Sequence, residues 1–542
     1  MFVKIKKYPS GRGRALSLCR SVRDGKRVRQ ERIKYIGVAH TEAEFQALLK
    51  LANAEIRRLE SGGVLPSKKS ADENECGDAL LGNMKEVIRL CTGIYDVFGV
   101  AFDRLSLSTM FSRIRYEQLK AVTLARIAKP LSKLKTTELL QKHFKKQLSV
   151  DQIYRLMDTL APHETAIKTC IFNTSKSLLQ KPEATLLFFD VTTLYCESQV
   201  ADELRDFGYS KDHKAGEVQV VLALATTEEG LPMGYCLFPG NTAEVTTLIK
   251  CIEEWRATLN ITNVTVVGDR GMMSEKNLAA MDKLQIKYVI AAKLKSLPKK
   301  QQETILKRHN EAQVSVGKDT LFVQEHACGK RRLVVSYGEK RANKDRKDRE
   351  RLLKKIHTKF DKDGKAETAK LISNRGLRKY IASKKDGEVI LDQEKIAEDA
   401  KWDGLHGVIT NDPDMSAPDL LTTYKRQWVV EESFRINKHT LAMRPLYHFK
   451  PDRIKAHILI CYLAFALARY VQLQMVSFGL NMSVGKIRDT LNEVEVSIFE
   501  DTITGEQYRV PSKVNKEAEL IYKALGISLK KHPGRLSRKN VV

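Results

Sequence analysis

Ala184 to Asp190 reads ATLLFFD, a near-continuous apolar run closed by a carboxylate. Runs of that kind are strands covered on both faces, and they imply a sheet with helices packed against it. Working outward, Val218–Ala225 (VQVVLALA) and Leu231–Phe238 (LPMGYCLF) follow as strands joined by the turn-like 228–230. Asn241–Leu259 reads as a helix, Asn263–Asp269 (NVTVVGD) as a second buried strand ending in a carboxylate, Met273–Leu284 as a helix, and Lys287–Ala292 as a strand. The order β, β, β, α, β, α, β predicts an α/β domain built on a mixed sheet.

Residues 294–403 break that rhythm with strand-like pieces (312–316, 319–325, 331–337) and a charged helix, Arg341–Ile356, and read as a β-rich insertion. Strand Gly407–Thr410 returns to the core, followed by YKRQWVVEESFRINK (Tyr424–Lys438) and the apolar Arg453–Phe478. The most apolar part of the latter, Ala456–Ala468, is short of the ~20 residues that span a bilayer, so a buried helix is expected and no membrane partner.

Upstream, residues 1–60 form a small segment: short basic strands to Gly37, then a helix from Thr41, with Glu44 three residues on as a capping box. Residues 61–77 (SGGVLPSKKSADENECG) read as a linker. Residues 78–181 read as helix after helix, rich in Lys and Arg, and form a candidate all-α DNA-binding domain. The core then spans 182–293 and 404–480 on either side of the insertion, and 481–542 is a C-terminal region with a short β-ribbon and a basic tail.

Ninety-three Lys and Arg against sixty-six Asp and Glu leave a net charge of +27. Such an excess favours a polyanionic partner, because each phosphate neutralised releases a counterion. The nine cysteines include no C-x-x-C pair, which suits a reducing cytoplasmic compartment better than a disulfide framework. No Walker A pattern is present.

Asp190 and Asp269 each close a strand, where ligands of open α/β sheets collect. Either alone reads more often as a turn former or helix cap. Together they call for a cation between them, and hard oxygen donors without Cys or His point to Mg²⁺ or Mn²⁺. Glu431 is the candidate third ligand, with Glu432 as its competitor about 100° around the helix. Trp428, Glu431, Arg435 and Lys438 recur at helical spacing and share a face. Two ions in such a site activate a water or a 3′-hydroxyl for in-line displacement at phosphorus. Trp428 reads as core or as a base-stacking surface, and Tyr424 and Lys438 as edge residues or phosphate contacts. Arg444 and His448 (RPLYH) extend the basic surface, and His213 with Lys211 and Lys214 lies in a charged loop.

LLFFDVTTLY around Asp190, VTVVGDRGMMS around Asp269 and YKRQWVVEESFRINK…RPLYH around Glu431 together resemble the DDE transposases of bacterial insertion sequences. The resemblance is to the group whose ribonuclease H-like (retroviral integrase-like) domain carries a β-rich insertion before the Glu. It implies Asp190, Asp269 and Glu431 as catalytic metal ligands. It also implies DNA contacts from Tyr424, Arg426, Trp428, Arg435, Lys438, Arg270, Arg444 and His448. The signature Y-x2-R-x3-E-x6-K is matched by Tyr424, Glu431 and Lys438, whereas its Arg position holds Gln427, with Arg426 and Arg435 as alternatives. The implied activity is a transposase that binds terminal inverted repeats, cleaves the ends with Mg²⁺ or Mn²⁺ (two ions), and joins 3′-hydroxyls to target DNA. The implied setting is a homodimer pairing two ends in the cytoplasm of a prokaryotic cell, at its nucleoid. A structure-selective nuclease on the same fold, and an inactive DNA-binding derivative, are the alternatives.

Overall fold

The computed structural model describes residues 1–7, 13–24, 27–60, 81–179, 185–209, 216–259, 264–309, 311–358, 378–383 and 389–536. The chain divides into one unit of residues 1–93, 142–145 and 490–542, and another of 94–141 and 146–489. The expected linker 61–77 and the loop holding Lys211, His213 and Lys214 lie outside the described residues.

In the first unit β1 (Phe2–Lys7), β2 (Arg14–Asp24) and β3 (Arg27–Ala39) form an antiparallel sheet in that order. The helix Glu42–Glu60 lays Phe45 and Leu48 against Leu16 and Ala39. Its start is the expected capping box: Glu44 N–H donates to Thr41 Oγ1 at 3.2 Å, and Thr41 N–H donates back to the Glu44 carboxylate at 3.2 Å. A second sheet corrects two expectations. Met84–Cys91 (β4) is a strand, not the first part of an all-helical region, and its partner lies some 400 residues downstream, beyond the reach of local pattern. Gly534–Arg535, expected in a loose tail, closes the same sheet.

The helix Gly93–Asp103 leads into the second unit, followed by the helices Arg113–Ala128, Lys133–Phe144, Val150–Asp158 and Glu164–Ser177. Ser149 caps the third with a full capping box to Gln152. Two of the basic residues that marked this region, Arg126 and Lys133, are buried and unavailable to a polyanion.

The mixed sheet follows: β5 (Thr185–Tyr195), β6 (Gln219–Thr226), β7 (Pro232–Pro239), β8 (Val264–Gly268) and β9 (Lys287–Ala291). The insertion adds β10 (Ala312–Val316), β11 (Asp319–Cys328) and β12 (Arg331–Tyr337), and a small separate hairpin of β13 (Ile381–Ser383) and β14 (Val389–Leu391). With β15 (Leu405–Thr410), the sheet has nine strands in the order β10-β11-β12-β15-β9-β8-β5-β6-β7. Strands β5, β8 and β9 run parallel and the other neighbours antiparallel. The insertion therefore lengthens the core sheet: β15 pairs with β9 on one edge and offers the other to β12. β16 (Glu495–Asp501), β17 (Gln507–Pro511) and β18 (Gly534–Arg535) belong to the first unit, beside β4.

Pro451–Ser477 is long and apolar enough to cross a bilayer, yet 94% of its most apolar window is buried inside the protein. It packs as a core helix, with Tyr462 set edge-on to Tyr235 of β7 at 4.8 Å.

Candidate active site

Leu187, Phe188 and Phe189 of β5 and Val266 and Val267 of β8 are buried, which drives these segments into the middle of the sheet. Their last parallel pair is Phe188↔Val267. Asp190 and Asp269 each lie two residues beyond it, Asp190 still within β5 and Asp269 one residue past the end of β8. β5 does not stop at Asp190 as the sequence suggested. It runs to Tyr195 because its other edge stays paired with β6, Asp190 opposite Leu224. Asp190 is thus placed where the β8 side of the strand opens.

The Asp190 carboxylate accepts the Val191 N–H at 2.7 Å. Asp269 caps the single turn Arg270–Met272 and accepts the Gly271 N–H at 2.8 Å. The cap reading holds for Asp269. A Cβ on Gly271 would stand 2.9 Å from Asp269 Oδ1, so the close approach depends on glycine.

The stretch Tyr424–Lys438 is not one helix. Ala417–Lys425 ends, Trp428–Arg435 begins anew, and Ile436–Thr440 is a π turn. Between the first two, i→i−3 bonds replace the helical pattern: Gln427 N–H to Tyr424 O at 3.0 Å and Val430 N–H to Gln427 O at 3.2 Å. The tightened turn points Gln427 inward, where its Nε2 donates to the Phe189 carbonyl at 3.1 Å. Gln427 is buried, and its Oε1 has no partner among the described residues. The position where the family signature has Arg is filled here by a residue that ties this helix to the backbone beside Asp190.

Val429, Val430 and Phe434 bury the inner side of Trp428–Arg435, while Trp428, Glu431 and Arg435 are exposed together. Trp428, 57% exposed, is not core. Glu432 turns to the interior and accepts from Arg469 Nη2 at 2.9 Å, with Arg435 3.6 Å away. Arg469 is buried. Glu431 has no hydrogen-bond or ion-pair partner among the described residues. Tyr424, on the preceding helix, tilts against His406 at 4.8 Å. Burial, and then the negative charges of Asp269 and Glu431, hold its hydroxyl proton above the usual tyrosine range.

The remaining sequence candidates divide. Arg426 is exposed and pairs with Glu228 in the β6–β7 turn. Arg435 is exposed, Lys438 is half-buried in the π turn, and Arg444 stands over the Tyr195 ring at 5.9 Å. His448 is buried beside His457, its imidazole pushed down to about 3 by burial and by Lys133 and Arg126. It does not belong to an exposed basic rim. Arg270 is exposed and opens onto a cavity of about 550 Å³ that also takes in Lys293, Lys295, Arg341 and His406. Burial, with Arg341 and Arg270, pushes the His406 imidazole down to about 4. Apart from Arg270, the sequence did not single out these cavity residues, since their convergence depends on the insertion joining the core sheet.

Among the described residues no three carboxylate, imidazole or thiolate side chains close into a ready-made metal cluster. Asp190, Asp269 and Glu431 each offer only carboxylate oxygen, the donor type that hard divalent ions take. A comparison with curated proteins finds no match. A family profile described as "Transposase DDE domain" matches residues 181–467, more than half of the chain and the span that holds both aspartates, the insertion and the Glu helix. The chain belongs to the family of transposases with a DDE domain.

Proposed function

We propose that this transposase binds the terminal inverted repeats of a DNA element, cleaves the ends by divalent-metal hydrolysis, and transfers the freed 3′-hydroxyls to target DNA. The observation that supports the reading is the parallel register ending at Phe188↔Val267, two residues short of both Asp190 and Asp269, together with an exposed Glu431 that has no partner among the described residues. The strand order β7-β6-β5-β8-β9, with β5, β8 and β9 parallel, supports assigning the core to the ribonuclease H-like class.

Asp190, Asp269 and Glu431 would hold Mg²⁺ or Mn²⁺, two ions in the full site. The chemistry such ions supply is activation of water or a 3′-hydroxyl and stabilisation of the leaving oxygen. The chain's own residues position the substrate. Arg435 and Arg270 offer exposed guanidinium forks to phosphate, and exposed Trp428 offers a flat apolar surface to a splayed base. Tyr424, Arg426, Lys438 and Arg444 line the approach. Pairing two ends calls for a homodimer, acting in the cytoplasm on nucleoid DNA.

Asp190→Asn removes one metal ligand at nearly constant volume. Mg²⁺-dependent end cleavage should be abolished and duplex binding kept; persistent cutting would rule out the ligand assignment. Supplying pre-cut ends with a 3′-hydroxyl to the unaltered protein should give joining to a plasmid, and cutting without joining would mark a nuclease.

A further inference from the structure

The sheet β1-β2-β3 has two unlike faces. Alternation and register sort its side chains. One face packs Val3 and Leu16 against the helix Glu42–Glu60. On the other, the central strand carries small residues at Ala15, Ser17, Cys19 and Ser21 ahead of the exposed Arg23, and Ala15 and Cys19 are buried between their neighbours. Lys4 pairs with Ser17 and Lys6 with Ala15 on one side. Tyr35 pairs with Ser17 and Arg32 with Cys19 on the other.

The result is a shallow channel with a low floor and exposed, cationic walls. Lys4, Lys6 and Arg32 are exposed, and Lys4 Nζ reaches across the sheet to Gln30 at 2.9 Å. Among the described residues of the sheet no acidic side chain shares this face. Glu31 falls on the opposite face, where Arg20 donates to it at 2.9 Å. Cations are thus gathered on one surface and the glutamate is kept off it.

We infer that this face binds double-stranded DNA, with the phosphate backbone laid along β2 between Lys4 and Lys6 on one wall and Arg32 on the other. The inference rests on the protein acting on DNA as a transposase, and it places a contact surface far along the chain from the DDE residues. Duplex is favoured over single-stranded nucleic acid because non-specific single-strand binding uses a series of stacking aromatics. Among the described residues of this face one aromatic, Tyr35, is exposed.

The test is binding of the full-length protein to a mixed-sequence 30-bp duplex by fluorescence anisotropy across a salt series, with the variant Lys4→Ala/Lys6→Ala/Arg32→Ala. Loss of three phosphate contacts should flatten the slope of log K against log salt by about 2.7 and weaken binding on the order of 10²-fold at 0.1 M salt. The charge-preserving variant Lys4→Arg/Lys6→Arg/Arg32→Lys should keep the slope, and circular dichroism of both variants should match the parent. An unchanged slope and affinity in the alanine variant overturns the inference while leaving the transposase reading intact. Equal affinity of the parent for a single-stranded 30-mer, lost in the same variant, overturns the duplex assignment. Absence of duplex binding by the parent overturns the transposase reading as well.

Discussion

The side-chain amide of Gln427 donates to the main-chain carbonyl of Phe189, the residue before Asp190, across 3.1 Å of buried space. This bond fastens the segment bearing Glu431 to the strand bearing Asp190. Gln427→Leu removes the donor and leaves the Phe189 carbonyl unpaired, a loss of about 1–3 kcal/mol. A lowered unfolding midpoint in urea, and end cleavage reduced more than end binding, are the expected outcomes. Gln427→Arg, which restores the signature residue, should also destabilise, because it sets a larger, charged group in a buried position.

Glu431 and Glu432 are adjacent in sequence and opposite in role. Glu431→Gln should leave the unfolding midpoint within about 0.5 kcal/mol of the parent and remove cleavage. Glu432→Gln strips the counter-charge from buried Arg469 and should cost about 3 kcal/mol, with cleavage per folded molecule retained. Paired thermal-melt and cleavage assays would expose a reversed assignment at once.

Gly271 holds its place for steric reasons. In Gly271→Ala the new methyl would meet Asp269 Oδ1 at 2.9 Å and push the carboxylate aside. Backbone strain is not involved, so the melting temperature should barely move. Cleavage should fall at least tenfold, an effect of about 1.4 kcal/mol on the barrier.

Lys133 adds a pH dependence. Its Nζ donates to His457 Nδ1 at 3.2 Å, and His457 Nε2 donates to the Met443 carbonyl at 3.1 Å, which fixes a neutral imidazole. Burial, then Arg126, pushes the ammonium down to about 7. His448 and Cys461 face the same His457 ring. Between about 7 and the ordinary lysine value the unfolded chain holds more protons than the folded one, so stability rises with pH across that window. Below about 7 both states are protonated, and this contribution is flat at its full cost. Lys133→Met should remove the rise, as melts at about pH 7 and pH 9.5 would register.

Much of this was readable in advance. The strands of the core fall within a residue or two of their expected positions, β5 excepted, because long apolar runs are local signals. β5 overran its expected end because the pairing of β6 past Asp190 is not written in β5 itself. The single helix expected over Tyr424–Lys438 breaks because Gln427 satisfies a carbonyl more than 200 residues upstream. His448 looked like part of a basic surface until the fold buried it against His457.

The sequence by itself determined the order of the strands in the α/β core, the basic excess, and the three carboxylates with Tyr424 and Lys438 at signature spacing, since all of these depend on residue type and short-range period. Only the tertiary structure decided that the insertion extends the core sheet, that Glu431 and not Glu432 lacks a partner among the described residues, and that Gln427 is a tether. Each of those facts is a hydrogen-bond register or an ion pair between segments far apart in the chain. Such partners are chosen by packing, which no local pattern records.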